Sequence, residues 1–215
     1  MTTADLMPMI TAHRRAFGDV LEGLPEPAWE TPSLCAGWRV REVVAHMTMP
    51  FRYPAPRFLA ELVRSRGNFA RMADRVARRD AQAPVATLLD GWRTNVNHPW
   101  KPPGGGLTGA LTHDVVHGLD VTIPLGLDHP VGEPALRVVL EHATTPPSLR
   151  HFGVDLTGVR LQADDLDWSF GDGEPIRGHA RHLLMVLMGR RLPAGTTAGC
   201  WPAGPAPGRD GALDP

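Results

Sequence analysis

The 215-residue chain predicts a mainly α protein: a four-helix bundle followed by a small α+β domain. Three observations lead there. Apolar residues recur at spacings of three and four through most of the first 126 residues, the period of a buried helical face. Proline and glycine punctuate these stretches where one helix must give way to the next. Beyond Pro146-Pro147 the apolar period shortens to two over brief segments, which is the period of a strand.

The elements follow in order. Leu6, Met9, Ile10, His13, Phe17, Val20 and Leu21 form one stripe and predict a helix from about Thr3 to Leu21, stopped by Gly23 and Pro25. Trp29 to Trp38 reads as a loop. A second helix starts near Val40, carries Val43, Val44 and Met47, and is interrupted by Pro50, Pro54 and Pro56. A third helical region covers Asn68 to Arg79 and, after Pro84, Val85 to Asn97. The segment PWKPPGGG is a loop, and a fourth helix spans Leu107 to Ile123. Val131 to His142 reads as helix. Val159–Ala163, Leu166–Phe170 and the apolar run near Ile176, separated by Gly171-Asp172-Gly173, read as a small antiparallel sheet. A helix from His179 to Arg190 closes this domain. The expected division is 1–126 for the bundle, 127–193 for the α+β domain and 194–215 for a disordered tail rich in Gly, Pro and Ala.

Composition excludes several classes. With 22 basic against 23 acidic residues there is no electrostatic footprint for nucleic acid, nor a basic patch for an anionic membrane. No apolar run of about 18 residues marks a membrane span, and the N-terminus lacks the pattern of a signal peptide. Two cysteines, Cys35 and Cys200, give no disulfide framework, so a reducing cytoplasm is the expected compartment. Lys101 is the only lysine, and Ile and Asn are scarce beside Ala, Gly, Pro and Arg. That bias follows GC-rich codons and points to a high-GC bacterium.

The chemistry concentrates in LTHDVVHGLDV on the fourth helix. His113 and His117 stand four apart, one turn apart on one face, and Asp120 continues that face. Two imidazoles at this spacing suit one metal ion, with Asp120 as a second-shell group holding a ligand ring. His46, at the border of the second helix's apolar stripe, is the best third ligand. Three ligands with an open fourth position describe a catalytic zinc-type site. The spacing alone also suits hydrogen-bonded core histidines. His179 and His182 share a helix but have no evident third partner, and Cys35 reads as a small loop or core residue.

At these residues a resemblance appears. TPSLCAGWRVREVVAHM, from Thr31 to Met47, resembles the second-helix motif of the mycothiol-dependent maleylpyruvate isomerase family, within the DinB-like superfamily of metal-binding four-helix bundles. HDVVHGLD is similar to its fourth-helix motif, and GHARHLLMVLMGRR, from Gly178 to Arg191, to the last helix of its small C-terminal domain. The resemblance covers the chain to about Pro193. It implies a DinB-like bundle whose His46, His113 and His117 hold a divalent metal, zinc or alternatively nickel, with mycothiol as thiol cosubstrate. The family's isomerase carries a glutamate where His113 stands, so this departure separates the chain from maleylpyruvate isomerisation itself. An arginine of the C-terminal domain acts in the family, for which Arg190 or Arg191 is the candidate to hold a substrate carboxylate. The expected function is metal-dependent activation of a small thiol for transfer, addition or isomerisation. The alternatives are a metal-dependent hydrolase and a non-catalytic binding module.

Overall fold

The computed structural model describes residues 6–128, 131–193 and 195–198. Its described backbone divides into two compact units, one over residues 6–128 and one over residues 131–193 with 195–198.

The first unit is helical. α1 (Leu6–Glu22) buries Leu6, Ile10, His13, Arg14, Phe17, Gly18 and Leu21, the apolar stripe of the sequence with Arg14 added to it. A 3-10 turn over Glu26–Glu30 seats Trp29 in the core. α2 (Val40–Arg52) follows, then α3 (Ala55–Arg64), α4 (Phe69–Asp80), α5 (Val85–Arg93) and α6 (Gly106–Thr122). α1 and α2 each pack against both α5 and α6, and these four helices are the bundle. α4 lies on the outer side of α2, and α3 on α4. The third helical region of the sequence thus splits between two layers. α4, FARMADRVARRD, buries Met72, Ala73, Val76 and Ala77, and α5 buries Leu88 and Trp92, whose indole reaches α1. Phe17 meets Trp92 edge to face at 5.5 Å, and the Trp92 indole N–H donates to the Arg14 carbonyl at 2.8 Å.

α2 runs through Pro50, where an interruption was expected. Proline cannot donate to the carbonyl one turn back. Arg52 steadies this turn, its guanidinium donating to the Ala45 carbonyl at 2.9 Å and to Thr48 Oγ1 at 3.3 Å.

The second unit holds α7 (Glu133–Ala143), α8 (Pro146–Phe152), β1 (Val159–Ala163), β2 (Ser169–Phe170), β3 (Glu174–Gly178), α9 (Ala180–Leu187) and β4 (Thr197–Ala198). The sheet order is β2-β1-β3-β4. It is mixed, which corrects the antiparallel sheet expected from the sequence: β2 and β4 pair antiparallel, but β1 and β3 run parallel with Val159 opposite Glu174. Gly171-Asp172-Gly173 makes no hairpin. The chain there crosses the start of β1 to reach its other edge. A Cβ at Gly171 would stand 2.4 Å from the Val159 carbonyl oxygen, and one at Gly173 2.2 Å from that of Gly158. Both have positive φ, +87° and +141°, so only glycine passes. α9 packs on α7 and on β1 and β3.

The segment expected to be a disordered tail lies outside the described residues, Cys200 included, except for 195–198, of which Thr197–Ala198 pair with β3. Among the described residues no helix is long and apolar enough to cross a membrane.

Candidate metal centre

α6 is the most deeply set helix of the first unit, buried on all sides from Ala110 to Thr122 except at His113. Its polar side chains therefore have to be satisfied inside the protein. His113 and His117 stack one turn apart, ring centroids 4.8 Å from each other. His46 enters from α2, its ring centroid 5.4 Å from His113 and 4.9 Å from His117. Candidate ligand nitrogens of the three rings all lie within 4.8 Å of one another. Bonds of about 2.0–2.1 Å to one tetrahedral ion would draw them to roughly 3.4 Å. His46 and His117 are buried, and His113 keeps slight exposure. Trp38 flanks His46 at 5.2 Å and Trp100 flanks His113 at 5.1 Å, the first tilted and the second edge-on.

Local sequence explains the entry of His46. The Arg39 N–H donates to Glu42 Oε2 at 2.8 Å, which closes the first turn of α2 and sets its start. The loop before it is folded on itself: Ser33 Oγ accepts from the Cys35 N–H at 3.1 Å and donates to the Trp38 carbonyl at 2.9 Å. The Leu34 N–H donates to the Asp120 carbonyl at 3.0 Å, fastening this loop to α6.

Each α6 histidine is backed by a carboxylate. His117 Nδ1 lies 3.0 Å from Asp120 Oδ2. His113 Nδ1 lies 3.1 Å from Asp114 Oδ1, a contact the sequence reading missed. A carboxylate only accepts, so each Nδ1 carries its proton and each ring would coordinate an ion through Nε2. Asp114 is wholly buried. Burial pushes its carboxyl up, but the hydrogen bond from His113 and the Arg14 charge outweigh this and hold it below the usual range. Arg14, also wholly buried, donates from Nε to Asp114 Oδ2 at 2.6 Å and from Nη1 to the His98 carbonyl at 2.8 Å. Burial pushes the neighbouring His13 imidazole down, so Arg14 is the cation that answers Asp114.

The signal for Arg14 was present: it stands four residues after Ile10 and three before Phe17, a charged residue at a core position that demands a buried partner. Cys35 is 1% exposed and reaches Asp120 Oδ2 from Sγ at 3.0 Å. Cys35, His117 and Asp120 also form a compact donor group, whose mutual hydrogen bonds account for their convergence. Arg190 and Arg191 belong to the second unit. Arg190 is buried and donates from Nη1 to the Met188 carbonyl at 3.1 Å, while Arg191 is exposed. His179 is turned to Asp165, its Nδ1 3.0 Å from Oδ2.

Residues 10–98 match the family model described as the mycothiol maleylpyruvate isomerase N-terminal domain. Among solved structures it is similar to the mycothiol-dependent maleylpyruvate isomerase, with a TM-score of 0.61 and 11% identity over 92% of each chain. A histidine-to-alanine mutant of that enzyme aligns with a TM-score of 0.60 at 11% identity, over 88% of this chain and 90% of the other. At that identity the likeness speaks for the fold alone: a helical bundle followed by a small α+β domain. No curated protein sequence matches the chain.

Proposed function

We propose that the chain is a metal-dependent enzyme that activates a low-molecular-weight thiol, mycothiol by its family, for addition to, transfer to or isomerisation of a small electrophile. One observation carries this reading: three imidazoles converge within 4.8 Å, and two of them are backed by buried carboxylates. Core histidines without a ligand have no need of two such backing groups. The family domain and the thiol-dependent isomerase structures that share the fold support the choice of thiol.

The donor set fits a borderline divalent ion, zinc or alternatively nickel, held by His46, His113 and His117. When bound, such an ion supplies positive charge that lowers the pKa of a thiol and favours its anion. The chain's own residues do the rest. Asp114 and Asp120 fix both α6 rings in the Nδ1–H tautomer and hold their orientation. Trp38 packs beside His46 and Trp100 beside His113. An imidazole ligand at position 113 brings no negative charge to an ion, unlike a glutamate there, so the site would keep more positive charge for a thiolate. Of the two arginines singled out in the sequence, Arg191 is the one open to a substrate carboxylate.

Calorimetry of the metal-loaded protein with mycothiol, or a cysteinyl analogue, in two buffers of different ionisation enthalpy tests this. The expected result is binding with buffer-dependent heat, because a thiol of pKa about 8.5 releases its proton on capture. Metal binding without thiol binding would favour the hydrolase, and neither would favour a binding module.

A further inference from the structure

Cys35 has no role in the chemistry above, yet it stands directly behind a proposed metal ligand. Its thiol donates to Asp120 Oδ2 at 3.0 Å, the same oxygen that His117 Nδ1 meets at 3.0 Å, and Sγ is 3.8 Å from that nitrogen. All three side chains are buried, at 1% exposure or less. The backbone holds the arrangement from both sides. Leu34, beside Cys35, donates to the Asp120 carbonyl, and the Cys35 N–H is itself tied to Ser33 Oγ. The backbone of Cys35 is thus fastened beside Asp120 by the junction between the 31–39 loop and α6.

We propose that Cys35 is a positioning residue for His117, acting through Asp120. Two donors converge on one carboxylate oxygen from different directions, and the second donor fixes how the carboxylate is turned. With Asp120 held, the His117 ring keeps its Nδ1–H tautomer and presents Nε2 in one direction. A thiol is a weak donor. It orients the carboxylate while withdrawing less of its negative charge than a hydroxyl would, so Asp120 remains a strong acceptor for His117. The inference rests on the metal reading for its purpose, but its geometry does not depend on an ion.

The test uses the full chain with Cys35→Val, which keeps the volume and removes the donor, and Cys35→Ser, which keeps a donor. Two readouts are taken. In the metal-stripped protein, nitrogen-15 spectra of the imidazoles should show His117 as a single Nδ1–H tautomer. Cys35→Val should admit the Nε2–H form, and Cys35→Ser should restore the wild-type pattern. In metal titrations, Cys35→Val should weaken zinc about fivefold to tenfold, somewhat below the 10–100-fold typical of removing the outer-shell group itself. Cys35→Ser should stay within about twofold of wild type, the rescue that a packing role would not produce. If both variants match wild type in both readouts, Cys35 only fills space and the proposal is overturned. If wild type binds no zinc while the tautomer shift appears, the positioning role stands and the metal reading falls.

Discussion

Two histidines one turn apart on α6 are backed by aspartates, and the aspartates are themselves held in opposite ways. Asp114, behind His113, answers to the buried guanidinium of Arg14, which ties α1 to α6 across the bundle. Asp120, behind His117, answers to the Cys35 thiol from a loop. The first arrangement is a buried ion pair; in the second a thiol and an imidazole meet on one carboxylate oxygen. The difference separates two jobs. Around His113 the network is part of what holds the bundle together, because either member left alone is a buried unpaired charge. Around His117 the network turns on how the carboxylate is oriented and so bears on how that ring is presented.

The largest expected effect removes a ligand. His113→Ala should take stoichiometric zinc or nickel binding to near zero while circular dichroism keeps the helical signal, since apolar packing carries most of the bundle's stability. Loss of helix in step with loss of metal would make the site structural. Next comes Asp114→Asn, which leaves Arg14 buried without its countercharge and should cost about 3–5 kcal/mol in denaturant unfolding. Adding Arg14→Met to that variant should recover more than half of the loss. Asp120→Asn should unfold with a loss of only about 1–2 kcal/mol, yet weaken zinc 10–100-fold. If the two aspartate variants lose equal stability, the contrast between the pairs collapses.

The smallest effect calibrates the comparison with a carboxylate whose arginines face solvent. Glu61 accepts from Arg79 and Arg75, at 2.8 and 2.7 Å, and these hydrogen bonds hold it down to about 2 against a modest push from burial. A folded value below the unfolded one contributes stability that is present above about pH 4.5 and is lost as pH falls toward about 2. Glu61→Gln should therefore cost on the order of 1 kcal/mol at neutral pH, with Arg75 and Arg79 about 40% exposed and screened. It should also flatten the acid dependence of unfolding between those two values. A cost matching that of Asp114→Asn would mean that burial of the arginine makes no difference.

What could be read from the sequence divides along sequence distance. His113, His117 and Asp120 share one helix, so the helical period alone puts them on one face. His46 followed from the apolar border of α2 and from the motif around it. Arg14 and Asp114 are a hundred positions apart, and no local pattern pairs them. The role of Cys35 is decided by a loop whose course depends on Ser33, Leu34 and the end of α6, not on any period. The same limit explains the bundle's composition. α4 and α5 are both helical by pattern, and only packing decides which joins the interior. In the sheet, a glycine-bounded turn between two short apolar segments reads as a hairpin, and the parallel pairing of β1 with β3 appears only in three dimensions.

That crossing at Gly171 and Gly173 imposes an order in time. The antiparallel pair of β1 and β2 closes a shorter stretch of chain than the pair of β1 and β3, and shorter closures come first on entropic grounds. β3 then has to be laid down around the already formed start of β1, through a passage with no room for a side chain. Folding of the second unit should therefore end with β3 and with the helix α9 that packs on it, and substitutions at either glycine should slow that last step more than they disturb the hairpin that precedes it.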